Sequence, residues 1–509
     1  MTLSPWQRFH AFVEDRPFEF VLILTGVITG LRLLLLFFYQ TALGPDEAQY
    51  WFWGQDLDWG YYSKPPMIAW VIALPTTLFG DHTWAVRFLS PLFIGGSALL
   101  LFLSGRHLYG DRVGIWAAVM FLLMPAVMLG ATIISTDVPL LFFWCGALFA
   151  LLKLSDAGAR EQTRWAIALG AALGLGFLSK YAMFYFPIGW ALAAIFSPTM
   201  RQSLRLGTLF KVLLAAAIVF APNIIWNAQN GFQTVGHTAD NADWRGTLNI
   251  EELWQFLGDQ FGVAGPILFA VLLIGAVRTL LPRRWIAGPR VQADITLLSF
   301  TLPPLLIICG QALLSRANAN WAIAAYPAAM ILIPAWLIRW RARWALWASV
   351  GLHAAVGLLV TAGLVHFQLA DGLGLSNAVK RLRGWDEQTQ QLAQAAASYD
   401  TVLVDEREVA AHLVWEWRNR DIAVEAFDLN GRKDNTYEHA FPFAPISGER
   451  YLLVTPFPDL PCAYDAFAVR AEQGTSFVDL NATRRGIPER TLFLHTLSGF
   501  DASRPTCEG

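Results

Sequence analysis

Residues 18–47 read FEFVLILTGVITGLRLLLLFFYQTALGPDE, an apolar run that ends close to a pair of acids. Residues 18–40 are long enough to form a helix that crosses a bilayer, which needs about 20 consecutive apolar residues. The acids Asp46 and Glu47 follow at the point where this helix leaves the membrane. Because carboxylates next to hydrocarbon are costly, we expect this pair to have a chemical function.

The whole chain has an apolar composition. Its 509 residues are 55% hydrophobic and only 15% charged, values far from those of a soluble domain. About eleven runs are long enough to span a bilayer. They lie near 18–40, 84–105, 113–131, 138–154, 164–178, 180–197, 207–227, 261–281, 294–314, 320–338 and 346–368. The pattern predicts an all-α polytopic membrane protein.

Lysine and arginine residues are distributed unevenly between the two sets of loops. If the amino terminus is cytoplasmic, the cytoplasmic loops hold roughly three times as many of them as the opposite loops, which the positive-inside rule favours. Asp46 and Glu47 then face outward, as does the chain after the last span. The first run is too long for the core of a cleavable signal peptide. We therefore predict a multi-pass protein of a bacterial inner membrane.

The composition changes abruptly near residue 371. Beyond it, polar helix-like stretches alternate with short β-branched or aromatic runs, a pattern typical of a small α/β domain. The helix-like stretches are 377–398 and 408–418, and the strand-like runs are 401–405, 422–427, 451–455 and 491–495. We predict a transmembrane catalytic domain over 1–370, with a first outer loop at 41–83, and an extracytoplasmic (periplasmic) α/β domain over 371–509.

The four cysteines divide between these two parts of the chain. Cys145 and Cys309 fall inside apolar runs, where a buried thiol behaves as a small apolar side chain. Cys462 and Cys507 both lie in the outer domain, where the compartment allows a disulfide. Their spacing alone does not decide whether they are close enough to form one.

Charge and motifs exclude several classes of protein. The net charge is −2, and no basic stripe exists beyond the arginines that set the orientation, which argues against a nucleic-acid-binding protein. The sequence also has no glycine-rich phosphate loop, no zinc-ligand spacing and no nucleophile elbow. Any functional site is therefore expected in the outward loops.

The segment Gly44-Pro45-Asp46-Glu47 has two interpretations. Proline followed by acids is a common helix start, because proline suits the first turn and carboxylates favour the positive end of the helix dipole. The helix would continue as Tyr50-Trp51-Phe52-Trp53, aromatic residues typical of the lipid headgroup layer. The carboxylates would then lie beside the headgroups, where an acid can accept a proton from a hydroxyl.

A second segment, Tyr61-Tyr62-Ser63-Lys64-Pro65-Pro66, brings a cation to the same loop. The prolines keep Lys64 outside a regular helix, and its ammonium group suits a phosphate. The hydroxyls of Tyr61 and Tyr62 are candidate donors to a substrate. The alternative for Lys64 is a lysine that extends along the membrane surface to anionic headgroups.

These segments resemble the membrane-embedded GT-C glycosyltransferases that use polyprenyl-phosphate sugars, in the branch of the protein O-mannosyltransferases and the aminoarabinose or galacturonic acid transferases. Four motifs match in order: Asp46-Glu47, Lys64-Pro65-Pro66, Thr136-Asp137-Val138-Pro139 and Ser179-Lys180. The resemblance is strongest over the first six or seven spans and fades beyond them. It implies a GT-C fold.

The resemblance also implies roles for individual residues. Asp46 would be the catalytic base, and Glu47 would help to shape the site. Lys64 would bind the lipid phosphate, and Lys180 would pair with Asp46 or with the phosphate. A positive, water-poor pocket would stabilise the leaving phosphate. A base on the opposite side of the sugar would invert the configuration at the anomeric carbon.

Three further residues have competing interpretations. Asp137 could take part in the site, or Thr136 and Asp137 could cap the following helix. His237, in the polar loop 227–259, could ligate a metal or substrate, or could simply be solvated. Arg316 could contact phosphate or sugar, or could anchor a helix end at the headgroups.

Two further points concern a possible metal site and the role of Arg32. Some relatives in the aminoarabinose branch hold zinc between a histidine of this loop and a glutamate immediately before the lysine of Lys-Pro-Pro. Ser63 occupies that position here, so no metal ligands are assigned, and a divalent metal is only a candidate cofactor. Arg32, inside the first run, is expected to extend to the membrane surface or to pair within the bundle.

The predicted function is an inverting glycosyltransferase that moves a sugar from a polyprenyl-phosphate donor to an envelope glycolipid, such as lipid A or its core oligosaccharide, on the periplasmic face. Protein O-mannosylation is the alternative within this class. A flippase for lipid-linked sugars and a noncatalytic scaffold are the alternatives outside it. A flippase would need polar groups spread through the bundle, whereas the ionisable residues here cluster at one face.

Overall fold

The computed structural model describes residues 4–240, 246–281, 289–374, 376–479 and 489–503. Its contacts divide the chain into two compact units. The membrane unit comprises Met1–Phe37, Asp58–Gly80 and Trp84–Leu358, and the α/β unit comprises Phe38–Leu57, Asp81–Thr83 and Leu359–Gly509. This division differs from the predicted domains, because residues 38–57, which carry Asp46 and Glu47, belong to the same unit as the carboxyl-terminal part, as do residues 81–83 and 359–370.

The membrane unit is helical. In the part that the structure describes, seven helices are long and apolar enough to cross a membrane, or up to eight spans if a bent pair counts as one. The seven are Pro17–Leu36, Thr83–Tyr109, Asp137–Asp156, Leu206–Gln229, Val291–Leu314, Ala319–Arg339 and Arg343–Val365. The bent pair is Ile250–Ala264 and Pro266–Leu280, with an angle of 115°. The predicted helical membrane fold is confirmed.

Three of the predicted runs take a different form. They become Asp111–Leu123 with Pro125–Gly130, Ala159–Ser179, and the 3-10 turn Tyr181–Phe184 with Tyr185–Phe196. The first break comes at Pro125, which lacks an amide hydrogen, and the last two runs are separated by Lys180 in an extended conformation. The number of eleven spans therefore stays a prediction.

Four shorter helices complete the membrane unit as far as it is described. They are Pro5–Asp15, Met67–Phe79, Pro198–Gln202 and Gln233–Asp240. The prediction of a polar loop over 227–259 is wrong for most of its described residues, which are helical. An amphipathic sequence without a long apolar run gives a weak signal for such helices.

Two charged groups inside the membrane unit illustrate how polar side chains there are paired. Asp294 accepts hydrogen bonds from Tyr109 (2.7 Å) and from both terminal nitrogens of Arg339 (2.6 and 3.0 Å). Arg32 donates to the carbonyl oxygen of Leu122 at 2.6 Å, in agreement with the prediction that it pairs within the bundle. Such pairing offsets the high free energy of a charge away from water.

The α/β unit contains, among the described residues, a five-stranded sheet with the order β2-β1-β3-β5-β4. The strands are β1 Thr401–Val404, β2 Val424–Ala426, β3 Arg450–Thr455, β4 Phe467–Asp479 and β5 Glu489–Phe500. Strand β1 is parallel to β2 and β3, whereas β5 is antiparallel to β3 and β4. The helices are Pro45–Trp53, Phe367–Gly372, Ser376–Val379, Trp385–Ala396, Arg407–Glu416 and Thr436–Ala440. The predicted α/β class of this region is confirmed.

Strand β4 has no counterpart among the runs predicted from the sequence, whereas the other four strands coincide with them. It lies at the edge of the sheet and contains Arg470, Glu472 and Gly474, which are untypical of strands. Its register with β5 shifts between Glu472 and Gly474, as in a β-bulge. The question of a disulfide between Cys462 and Cys507 stays open, because Cys507 lies outside the described residues.

Candidate functional site

An ion pair joins two of the predicted site residues in the membrane unit. The Nζ of Lys180 lies 2.7 Å from Oδ1 of Asp137, and Nδ2 of Asn320 donates to Oδ2 of Asp137 at 2.7 Å. The side chains of Lys180 and Asp137 are 21% and 12% exposed. Both oxygens of the carboxylate are therefore held, while part of the Lys180 side chain stays accessible.

Local breaks in the backbone bring these three side chains together. Asp137 begins a helix, Lys180 lies immediately after another helix, and Asn320 lies in a 3-10 turn. Thr136 occupies the predicted N-cap position, but its side chain makes no capping hydrogen bond. The carboxylate of Asp137 binds Lys180 and Asn320 instead. The predicted alternative partner of Lys180 was Asp46, but the contact that the structure gives is with Asp137.

The segment 58–66 is held against a neighbouring helix of the membrane unit. Nδ2 of Asn223 donates to the carbonyl oxygen of Trp59 at 2.6 Å. Gly60 lies against the ring of Trp226, so close that an added Cβ would come within 2.3 Å of it. A side chain at this position would push the segment away from the helix. The glycine thus fixes the path of the loop that carries the Lys-Pro-Pro motif.

The predicted substrate-binding residues of this segment differ in exposure. Tyr61 is buried, its hydroxyl accepts a hydrogen bond from the amide of Asp58 (3.0 Å), and its amide donates to the carbonyl oxygen of Lys64 (3.1 Å). Tyr61 therefore stabilises the loop itself, a role that the sequence did not indicate. Lys64 and Tyr62 are half-buried, and the ring of Tyr62 lies 5.3 Å from that of His237.

His237 and Arg316 keep their competing interpretations. His237 lies on the helix Gln233–Asp240 beside Tyr62. Arg316 is exposed just before the 3-10 turn that contains Asn320. Within the described ranges, no group of three or more His, Cys, Asp or Glu side chains could hold a metal ion. The roles of both residues, and of a divalent metal, stay predictions.

The acids Asp46 and Glu47 lie in the α/β unit, in the first turn of one of its helices. Oε2 of the buried Glu47 accepts a hydrogen bond from the amide of Gly44 at 2.9 Å, which confirms the interpretation as a helix start. The side chain of Asp46 is 64% exposed, and its Oδ1 lies 2.8 Å from Nη1 of Arg407. The same nitrogen donates to Oε1 of Gln49 at 3.0 Å.

Three of the aromatic residues after this acidic pair are buried in protein. Tyr50, Trp51 and Trp53 are 3%, 4% and 4% exposed. The indole of Trp51 donates to Asp81 (2.7 Å), and that of Trp53 donates to Thr436 (2.8 Å). The predicted headgroup contact is therefore wrong for these three residues, because their rings fill the interior of the α/β unit.

Asp405, directly after strand β1, is a buried acid that the sequence analysis did not single out. Its Oδ2 accepts a hydrogen bond from the hydroxyl of Tyr464 at 2.7 Å. Burial raises the pKa of Asp405 to about 6, although hydrogen bonds from Tyr464 and Thr455 oppose the shift. The carboxyl group therefore gains and loses its proton near neutral pH.

We expect Asp405→Asn to stabilise the α/β unit at pH 8. The pKa of Asp405 is higher in the folded than in the unfolded chain. Its protonated carboxyl group therefore contributes fully to the free energy of unfolding below about pH 4, and this contribution is lost as the pH rises through about 6. Asparagine stays neutral and can still accept the hydrogen bond from Tyr464. The free energy of unfolding should rise by at most about 3 kcal/mol at pH 8.

Thermal unfolding of the two proteins at pH 8 and pH 4.5 measures this effect. The advantage of the variant should shrink at the lower pH. Asp421→Asn, which changes an exposed acid of the same unit, is the control for the change in net charge. Equal midpoints for Asp405→Asn and the unmodified protein at pH 8 would contradict the expectation.

Comparison with known proteins identifies the family. Over 437 residues the chain is 34% identical to the lipid A galacturonosyltransferase RgtD of Rhizobium johnstonii, and the alignment covers 84% of this chain and 89% of that protein. The chain belongs to the GT-C glycosyltransferases of the aminoarabinose and galacturonic acid transferase branch. This glycosyltransferase is also 30% identical, over 221 residues, to the undecaprenyl phosphate-alpha-4-amino-4-deoxy-L-arabinose arabinosyl transferase 1 of Pseudomonas fluorescens, covering 42% of this chain and 38% of that protein.

Two further similarities concern the membrane unit and the fold. Residues 63–226 of this glycosyltransferase match the family described as dolichyl-phosphate-mannose-protein mannosyltransferase. The crystal structure of ArnT from Cupriavidus metallidurans bound to undecaprenyl phosphate is similar with a TM-score of 0.64 at 15% identity, covering 93% of this chain and 97% of that one. The predicted GT-C fold is confirmed. The segment 63–226 contains Lys64, Asp137 and Lys180.

Asn320 and Arg407 contact Asp137 and Asp46, two predicted site residues of this glycosyltransferase, and neither contact was predicted from the sequence. Arg407 lies in the run Asp405-Glu406-Arg407-Glu408, directly after a strand. Charged residues at the carboxyl end of a parallel strand are a known signal for functional side chains. The signal could have marked Arg407, but no local pattern links it to Asp46, which lies far away in the sequence.

Proposed function

We propose that this glycosyltransferase moves a sugar from a polyprenyl-phosphate carrier to a glycolipid acceptor such as lipid A. The observation that carries the proposal is the alignment with RgtD, which extends over 89% of a protein named as a lipid A galacturonosyltransferase. The Pseudomonas fluorescens relative is named for an undecaprenyl phosphate-linked donor, which supports the class of carrier. A uronic acid and an amino sugar are therefore the first donor sugars to test.

The proposed reaction is a single displacement with inversion. The hydroxyl oxygen of the acceptor bonds to the anomeric carbon of the sugar, the bond from that carbon to the phosphate oxygen breaks, and the electron pair leaves with the polyprenyl phosphate. Asp46 accepts the hydroxyl proton, a role that suits its exposed carboxylate. Glu47 contributes by fixing the first turn of the helix that carries Asp46.

Lys64 and Lys180 bind the donor phosphate in this proposal. The phosphate gains negative charge as the bond to the sugar breaks, and an ammonium group stabilises that charge most in a water-poor site. Asp137 holds Lys180 in position, yet leaves part of its side chain accessible. The remaining proposed substrate contacts are Tyr61, Tyr62, His237 and Arg316.

The protein is a multi-pass membrane protein, and we propose the bacterial inner membrane as its location. The excess of lysine and arginine in one set of loops supports a cytoplasmic amino terminus. In that orientation the α/β unit and the proposed chemistry lie on the periplasmic side, where an envelope glycolipid is available as acceptor.

A protein acceptor is the second candidate. The match of residues 63–226 to a family described as protein mannosyltransferases favours it. That match covers a smaller part of the chain than the alignment with RgtD does, which is why we place the glycolipid first. A flippase for lipid-linked sugars would leave the sugar on its carrier, so the product distinguishes it from either transferase.

The test is transfer by the purified protein in detergent or nanodiscs. Polyprenyl-phosphate galacturonic acid, aminoarabinose and mannose are each combined with lipid A, with lipid A carrying core sugars and with a serine- and threonine-rich peptide. Mass spectrometry should detect one added sugar on a glycolipid and free polyprenyl phosphate. Transfer to the peptide alone would favour the second candidate, and an intact donor with every acceptor would overturn the proposal.

A further inference from the structure

Arg407 is anchored on both sides within the α/β unit. Strand β1 ends at Val404, and Glu406 then caps the helix that begins at Arg407, accepting hydrogen bonds from the amides of Glu408 (2.6 Å) and Val409 (3.0 Å). The backbone of Arg407 is therefore fixed by a strand before it and a capped helix after it. The side chain of Arg407 therefore extends from a backbone position that is held in place on both sides.

The helix Arg407–Glu416 packs against the helix that carries Asp46, Pro45–Trp53. The ring of Trp415 meets that of Trp51 edge-on at 4.8 Å. Asp81 also links this region, because it accepts from Trp51 through its carboxylate (2.7 Å) and, through its backbone carbonyl (3.0 Å), from Arg418, two residues beyond the helix Arg407–Glu416. Rings and hydrogen bonds thus fix the distance between the two helices.

The guanidinium of Arg407 meets Asp46 across this helix contact. Its Nη1 lies 2.8 Å from Oδ1 of Asp46 and 3.0 Å from Oε1 of Gln49. Burial lowers the pKa of Arg407, but the charge and hydrogen bond of Asp46 outweigh it, so the pKa lies above its ordinary value. The contact uses one carboxylate oxygen and leaves the side chain of Asp46 64% exposed.

We propose that Arg407 is a positioning residue for the base Asp46, so that the carboxyl-terminal α/β unit takes part in the transfer reaction. The proposal rests on the proposed function. A base must present its oxygen to the hydroxyl proton within hydrogen-bond reach, and a small displacement of a reacting group can reduce the rate about a hundredfold. An exposed aspartate alone would rotate freely, whereas Arg407, which also donates to Gln49, restricts its carboxylate.

The arginine also counters an electrostatic problem of the proposed reaction. The donor phosphate and lipid A are both anionic, and an exposed carboxylate would repel them. A guanidinium beside Asp46 reduces this repulsion without donating a proton, since arginine keeps its charge at every pH of interest. An ordinary surface ion pair, by contrast, would serve neither purpose and would contribute little to stability.

The experiment compares Arg407→Gln, Arg407→Lys, Asp46→Asn and the double variant Asp46→Asn with Arg407→Gln in the transfer assay. We expect Arg407→Gln to lower kcat about 10- to 100-fold and to change the donor KM less than about threefold. Arg407→Lys, which keeps a cation at this place, should recover part of the lost rate. The double variant should be no slower than Asp46→Asn alone, because the arginine acts through the aspartate.

The control is Arg432→Gln, which removes an exposed arginine of the same unit and should leave both constants unchanged. Thermal unfolding of Arg407→Gln should begin within roughly 4 °C of the unmodified protein, since the pair is partly exposed. If that variant fails to fold, Arg407→Lys carries the comparison, and its kcat should lie below that of the unmodified protein.

Two outcomes overturn the inference while leaving the proposed function intact. One is an unchanged kcat in Arg407→Gln, with or without a rise in KM. The other is a double variant in which the rate losses of Asp46→Asn and Arg407→Gln multiply. A rise in KM at unchanged kcat would make Arg407 a substrate ligand. No transfer by the unmodified protein would overturn the proposed function, and the inference with it.

Discussion

Asp46→Asn should reduce the rate of sugar transfer by roughly 10²- to 10⁴-fold, the range typical of removing a general base. Asparagine has the same shape as aspartate, and its oxygen can still accept the hydrogen bond from Arg407. It cannot take the proton of the acceptor hydroxyl. Because the amide keeps the geometry and removes only the proton acceptor, we expect binding of the donor to stay within about threefold of the unmodified protein.

Initial rates at saturating donor and acceptor, with product measured by mass spectrometry, give the effect on kcat. Binding of polyprenyl phosphate, measured separately by calorimetry, shows whether the donor site is intact. The matched control is Asp56→Asn, which changes an exposed acid of the same segment and should keep the full rate. A rate within a factor of three for Asp46→Asn would remove this residue from the role of base.

Lys180→Met should raise the donor KM about 10- to 100-fold, as expected for the loss of a charged hydrogen bond to phosphate. It should also destabilise the membrane unit, because Asp137 loses its cation and keeps the neutral Asn320 as a partner. Breaking a fully buried pair costs about 3–5 kcal/mol. This pair is partly exposed, so we expect roughly 2 kcal/mol.

A second variant separates the two effects of this lysine. Lys180→Met combined with Asp137→Asn removes both charges and should recover most of the lost thermal stability, since no unpaired charge remains. The donor KM should stay high if Lys180 binds phosphate. Recovery of activity together with stability would instead mean that Lys180 only neutralises Asp137. Lys211→Met, at an exposed lysine of the same unit, is the control.

The motif residues illustrate what local sequence can predict. The Lys-Pro-Pro and Ser-Lys motifs marked Lys64 and Lys180 because a proline or a helix end beside a cation is a local signal. The partner of Lys180 escaped prediction, since Asp137 reaches it from a distant part of the chain and is itself held by the equally distant Asn320. A capping role for Asp137 was the natural local alternative, and the structure replaced it by a tertiary contact.

For the aromatic run after Asp46, a local pattern was present but indicated the wrong environment. Tyr50, Trp51 and Trp53 have the composition of a headgroup layer, and composition alone does not distinguish lipid from a protein interior of similar polarity. The structure buries all three within the α/β unit. Strand β4 was not predicted either, because an edge strand with one solvated face has too few apolar residues to be recognised from its composition.

The sequence by itself determined the membrane class, the α/β character of the carboxyl-terminal region and the motif residues, because apolar length, periodicity and short spacings are properties of neighbouring residues. Only the tertiary structure decided the partners of those residues: Asp137 for Lys180, and Arg407 for Asp46. Each of these contacts joins elements far apart in the chain. Their geometry depends on how helices pack, and packing is set by many weak contacts that no local pattern records.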